Sequence, residues 1–167
     1  MRIVVERSDL GHARGRVTRC RFAWCGSSLA LVLGCGTAPC EEDVRAQVID
    51  ERVALVVGDT RVEAELADEV VERERGWMHR VCGREALLLV PDAPGELPVW
   101  GCGLVEPVDL FWIRDGEVVA RDLDLEPCVE PCTGCPIVGE GLVIDAVLES
   151  PAGTLTAVTG ARVSGWP

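Results

Sequence analysis

The sequence contains no Lys, no Asn and no Tyr, and Gln47 is its only Gln. All 16 basic side chains are therefore Arg, a pattern that matches codon bias in a GC-rich genome, so Arg in place of Lys carries little functional information. Positive charge is scarce as well: 28 acids outnumber the 16 Arg, for a formal net charge of -12. Binding to a nucleic-acid backbone needs a basic face, so that class of partner is argued against. No G-x-S-x-G, phosphate loop, dinucleotide fingerprint or H-E-x-x-H is present, which leaves the common hydrolase, nucleotide and zinc-peptidase signatures without support. Long apolar runs are missing too. The run from Ala23 to Gly34 is shorter than the ~20 residues a spanning helix needs. What is present is enough apolar content, 48% of residues, for an ordered core. The 167 residues allow one domain and a short extra segment.

The N-terminal region reads as an address. Arg2, Arg7, Arg14, Arg16, Arg19 and Arg21 precede the apolar run, against only Glu6 and Asp9. A positive flank before a 7–15-residue apolar stretch is the pattern of a secretory signal; the alternative is an ordinary buried helix or strand. The run ends in Val32-Leu33-Gly34-Cys35, which resembles a bacterial lipobox and implies cleavage before Cys35 and its lipidation. This reading divides the chain into a lipoprotein-type signal peptide (1–34), a tether after lipidated Cys35 (35–49) and a globular domain (50–167). The expected location is exported and membrane-anchored, facing the periplasm or cell exterior. The mature chain would keep ten Arg and 26 acids, a net charge of -16. Anionic headgroups repel such a surface, so attachment would rest on the acyl chains.

Cysteine usage agrees with export. Beyond Cys20, Cys25 and Cys35, six remain: Cys40, Cys82, Cys102, Cys128, Cys132 and Cys135. An even number in an oxidising compartment predicts up to three disulfides, with a local loop among the last three. Six cysteines permit roughly 15 connectivities, and spacing does not choose among them. Cys128-x3-Cys132-x2-Cys135 also has the spacing of an iron–sulfur site in radical enzymes, but those sites lie early in a large α/β barrel under reducing conditions. A structural zinc site is a further alternative and would need Cys40 or His79 as fourth ligand. A thioredoxin-like redox pair would sit at a strand-to-helix junction, where Cys132-Thr133-Gly134-Cys135 is not placed. Structural disulfides are the favoured reading, with no metal site and no cofactor expected.

Hydropathy patterning predicts a mostly β or α+β fold: one antiparallel, barrel-like or sandwich domain with two short helices. Val53–Val57 and Arg61–Ala67 flank Gly58-Asp59-Thr60 as a hairpin, with Val62, Ala64 and Leu66 alternating against Glu63 and Glu65. Asp68 is a plausible N-cap for a short helix that Gly76 ends. Ala86–Val90, Leu97–Cys102 and Val108–Ile113 read as strands, and Asp115-Gly116 as a hairpin turn leading into Glu117–Leu125. Residues 126–139 read as a loop and Leu142–Leu148 as a last strand. Ser150-Pro151 then opens a second helix, which Gly160 stops.

Several segments, in order, resemble DUF192, a family of small bacterial and archaeal domains of unknown function. They are Leu66–Asp68 with Glu69–Arg80 (EVVERERGWMHR), Val99–Ile113 (VWGCGLVEPVDLFWI), the Pro127-Cys128 to Cys135-Pro136 stretch, and Val147–Thr159. The likeness covers about residues 50–165. It implies a single β-rich domain, often exported, and no particular activity. Gly101-Cys102-Gly103 stands where the family usually has Met-Lys-Asn, and a chain without Lys or Asn supplies neither group from elsewhere. Cys102 there is open to a disulfide, with Cys82 as one partner.

Arg80, Trp100, Asp109 and His79 are the candidate ligand-binding residues. Asp109 lies between apolar Val108 and Leu110, so it is either exposed at a sheet end or buried and paired, with Arg80 its partner by pattern. Trp100 lines a pocket or fills the core. His79 is the sole His after residue 34; it is either a ligand-binding group or an ordinary surface or core residue. The favoured function is a non-enzymatic, lipid-anchored envelope module whose partners are the membrane and an envelope protein or small molecule. The alternative is an extracytoplasmic enzyme, either a hydrolase using Asp109 or a thiol protein using Cys128, Cys132 and Cys135.

Overall fold

The computed structural model describes residues 41–83 and 85–166. Among these, nine strands and one helix follow in the order β1 (Arg52–Val57), β2 (Thr60–Ala67), α1 (Val70–Arg75), β3 (Leu87–Leu89), β4 (Val99–Trp100), β5 (Val108–Arg114), β6 (Glu117–Leu125), β7 (Ile137–Val138), β8 (Ala146–Pro151) and β9 (Val163–Ser164). Seven strands form one sheet in the order β6-β5-β8-β3-β2-β1-β9, and β4 pairs with β7 in a small second sheet. The fold is mostly β, as the patterning predicts. Its main sheet is not wholly antiparallel, because β2 and β3 run parallel. A parallel pair needs a long crossover, and the segment carrying α1 supplies it.

Burial explains why the central strands read as unbroken apolar runs. Leu88, Phe111, Ile113 and Leu148 join Leu55, Val57, Val118 and Val163 in one core cluster. Residues from both sheet edges meet in that cluster, so the sheet must curl around it. Leu87, Leu89, Leu110, Trp112 and Val147 project from the opposite face into a second core with Trp77 and Ile144. Strands β3, β5 and β8 are thus covered on both faces, which removes the polar alternation of a half-buried strand.

The curl is stitched at one end. The Val118 amide donates to the Ala161 carbonyl at 2.9 Å, Gly160 to Val118 at 2.8 Å, and Val163 to Gly116 at 2.9 Å. β9 meanwhile pairs with β1, so the chain after residue 160 joins both edges of a half-barrel. The β5–β6 hairpin turns at Asp115 and Gly116, whose φ values of 50° and 68° give the left-handed pair that an Asp-Gly turn favours.

Four expectations are corrected. Residues 150–159 form no second helix: Pro151 still pairs with Val108 at the end of β8, and Gly153 (φ 75°) turns the chain instead. The strand expected over 97–102 shortens to β4, because 101–103 pair with the 128 region. The last strand is Ala146–Pro151 rather than Leu142–Leu148, since Ile144 makes its own bridge to Gly95. Finally, much of the expected tether lies against the domain. Gln47 donates to the Glu72 and Gly76 carbonyls at 3.0 and 2.8 Å, adding a second donor to the Glu72 carbonyl that already accepts the Gly76 amide. Ile49 is buried, and the Glu42 carboxylate accepts the Val81 and Cys82 amides at 2.5 and 3.0 Å.

Candidate functional site

A cleft of about 760 Å³ opens on the second-core face. One wall is α1 and the turn after it (Val70, Arg73, Glu74, Arg75, Gly76, Trp77, Met78), and the other is the 97–104 segment, with Leu89 and Glu149 also in the lining. The helix is placed by a capping box between Glu69 and Glu72, so the N-cap is Glu69 rather than Asp68, and Gly76 is the C-cap.

Glu149 is the unusual member. It sits mid-sheet, with Leu87 and Leu110 as its register partners on either side, and shares a face with Val147 because strand side chains alternate. It is 3% exposed, and its Oε2 is buried with no hydrogen-bond partner. Burial pushes its carboxyl up to about 8, so at neutral pH the group is mainly protonated. Sequence reasoning missed it. The signal was present: continuing the AVL run of β8 by three residues puts an acid inside a strand buried on both faces.

The other charged residues in the lining are Arg73, Glu74 and Arg75. Arg73 donates to the carbonyls of Asp68 and Val90, the latter at 2.9 Å, and to Asp92 at 3.0 Å. Glu74 and Arg75 are both exposed and of opposite sign.

Of the four residues expected to bind ligand, only Trp100 lines the cleft. It is 45% exposed, so it belongs to the mouth and not to the core. The expected Arg80–Asp109 pair does not form. Arg80 is buried against Glu65, through Nη1 to Oε2 and through Nη2 to Oε1 at 3.0 Å, and Arg52 adds a 3.0 Å contact to Glu65. Glu65 was expected on the polar face of β2, but residues 77–80 cover that face. Asp109 accepts the Asp124 amide at 2.9 Å and the Gly153 amide at 2.8 Å, a backbone-capping role worth about 2 kcal/mol. His79 (φ 63°) donates its amide to the Gly103 carbonyl at 2.7 Å, and its Nε2 lies 3.4 Å from Glu130 Oε1.

The cysteines hold the wall opposite α1. Cys102 is bonded to Cys132 and Cys128 to Cys135, and Cys82 is also disulfide-bonded. The local loop expected among the last three cysteines is therefore Cys128–Cys135, and Cys82 is not the partner of Cys102. Bridges closing loops of this length contribute about 2–4 kcal/mol each. The three sulfurs of the C-x3-C-x2-C segment all lie in disulfides. Among the described residues no group of three or more His, Cys, Asp or Glu is arranged to hold a metal. Cys35 and Cys40 lie outside the described residues. The Gly101-Cys102-Gly103 segment is stapled further by backbone bonds from Cys128 to Gly101 (2.7 Å) and from Gly103 to Cys128 (3.0 Å). A Cβ at position 101 would lie 2.1 Å from the Glu126 carbonyl oxygen, so only Gly fits there.

A family model, DUF192, described as an uncharacterized ACR, matches residues 53–164. Two solved structures are similar. One, from Sinorhizobium meliloti 1021 and provisionally described as a transcription regulator, is 25% identical with a TM-score of 0.58, over 68% of this chain and 92% of that one. The other, a protein of unknown function from Novosphingobium aromaticivorans DSM 12444, is 24% identical with a TM-score of 0.58, over 69% and 85%. No curated protein matches the sequence. The match over residues 53–164, in the motif order the sequence carries, means that this chain belongs to the uncharacterised DUF192 family.

Proposed function

We propose that this protein is an exported, lipid-anchored, non-enzymatic domain that binds a small ligand in the cleft over Glu149. One observation carries the reading: a buried carboxyl group with an unpaired oxygen faces a 760 Å³ cleft whose other lining is mostly apolar. Ligand sites combine an apolar surface with a few placed polar groups. A non-enzymatic role is favoured because the cleft holds no His and no second buried acid to share proton transfer. Asp109, the hydrolase candidate, has both carboxylate oxygens on backbone amides. The net charge of -12 weighs against the DNA contact that a transcription regulator, as the S. meliloti protein is provisionally described, would need. Disulfide-bonded cysteines support an oxidising compartment, and the signal-like residues 1–34 with Cys35 supply the anchor.

The cleft is tested by amide chemical shifts with three four-carbon probes: butyltrimethylammonium, butyrate and butanol. At least one is expected to move the amides of residues 73–78, 97–104 and 149. Shifts confined to other regions, or none, would sink the cleft as a ligand site. The anchor is tested in cells: labelled palmitate is expected on the wild-type protein and absent from Cys35→Ser. Equal labelling of the two, or none on either, would remove the lipoprotein reading.

A further inference from the structure

We infer that the cleft takes an organic cation, an alkylammonium or quaternary ammonium, with its head on the Glu149 carboxylate and its apolar body against Trp100. The inference rests on the reading of the cleft as a ligand site and adds the chemistry of the ligand. Glu149 is the buried ionisable group of the cleft, and its Oε2 has no hydrogen-bond partner. On α1, Arg73 is held by Asp92 and two carbonyls, while Glu74 and Arg75 are exposed, where water screens their charge. On β2, Glu65 is neutralised by Arg80 and Arg52. From β3 and β5 the register neighbours are Leu87 and Leu110, and the cleft-lining residues of the 97–104 segment carry no charge. Where Glu149 is ionised, an anionic ligand would set a second negative charge beside it. A cation supplies the partner that is missing, and a desolvated carboxylate binds such a partner strongly.

The apolar lining fits the same ligand. The half-exposed Trp100 indole at the mouth suits a cation–π contact, which is strongest with Trp. Met78, Leu89 and Leu97 give the alkyl part a surface free of polar groups. The acidic chain as a whole raises the local concentration of cations and lowers that of anions.

The test uses the same three probes on the intact protein, with affinity followed from pH 6 to 9. Butyltrimethylammonium has no titrating group, so any pH dependence belongs to the protein. It is expected to bind at least tenfold tighter than butyrate or butanol at pH 8. Its affinity falls about tenfold for each unit below pH 8, as the ionised fraction of Glu149 falls, and levels off above it. Glu149→Gln loses at least tenfold in affinity together with the pH dependence, while Trp100→Ala weakens binding severalfold and keeps it. Tighter binding of butyrate or butanol, or a pH-independent affinity for the ammonium, would overturn the cation while leaving the cleft as a ligand site. Failure of all three probes would overturn both.

Discussion

Glu149→Gln stabilises the protein above neutral pH, and the gain disappears in acid. The folded state raises the Glu149 carboxyl from 4.5 to about 8. Between those values the unfolded chain has released this proton and the native protein still holds it, so stability falls as pH rises. The loss is about 1.4 kcal/mol per pH unit and reaches about 5 kcal/mol above pH 8. Below pH 4.5 both states are protonated and the penalty vanishes. Gln fills the same space without an ionisable group, and its unsatisfied amide costs about 1–3 kcal/mol at every pH. The stability curves of the two proteins therefore cross. Near pH 5 the variant is equal to or less stable than the wild type. At pH 9 it is more stable by about 3 kcal/mol, which raises Tm by about 10 °C in a domain of this size. Urea denaturation of both proteins from pH 4.5 to 9 measures the difference. A difference that stays constant over that range would show that Glu149 does not carry a raised pKa.

An acid that weakens its own fold at neutral pH belongs where function, not packing, sets the residue. This is why Glu149 is a better site marker than the residues that sequence patterning offers first. Arg80 and Asp109 are a charged pair by sequence spacing, but each is matched to a different partner by tertiary packing. The alternation of Val62, Ala64 and Leu66 with Glu63 and Glu65 gives the face of β2 correctly and the environment of Glu65 wrongly. Whether a polar face meets water depends on what packs over it, and the Trp77–Arg80 turn comes from elsewhere in the chain.

Local signals were read best. The hairpin β1–β2, the Asp115-Gly116 turn, the span Glu117–Leu125 and the Gly76 helix stop each depend on adjacent residues, and all are present. The parallel β2–β3 pair, the stitching of both sheet edges by residues 160–163 and the Cys102–Cys132 bridge are non-local, and no window of sequence contains them. Ser150-Pro151 failed for a related reason. The pair suits a helix start, but pairing with β5 carries β8 through Pro151, and the Asp109 carboxylate then claims the Gly153 amide. Helix propensity over a few residues is too weak to oppose those interactions.

Arg80→Met is expected to cost about 3 kcal/mol, and Arg80→Met with Glu65→Leu to recover most of it. Arg80 and Glu65 are 8% and 5% exposed at the side chain, so neither charge is well solvated. Removing the guanidinium alone leaves a buried carboxylate with only Arg52, whose side chain is 47% exposed and partly screened by water. Breaking a buried pair from one side costs about 3–5 kcal/mol, and the residual Arg52 contact places this case at the low end. Replacing both partners with apolar side chains removes the desolvation penalty along with the attraction, and is often close to neutral. Arg80 Nε already lacks a partner, which further favours the double replacement. A double-mutant cycle in urea at pH 7 is expected to give a coupling of about 2 kcal/mol or more. Because Arg80 does not line the cleft, the double variant should bind the four-carbon probes as the wild type does. A coupling below about 0.5 kcal/mol, or a double variant that folds normally and loses probe binding, would return Arg80 from the structural frame to the ligand site.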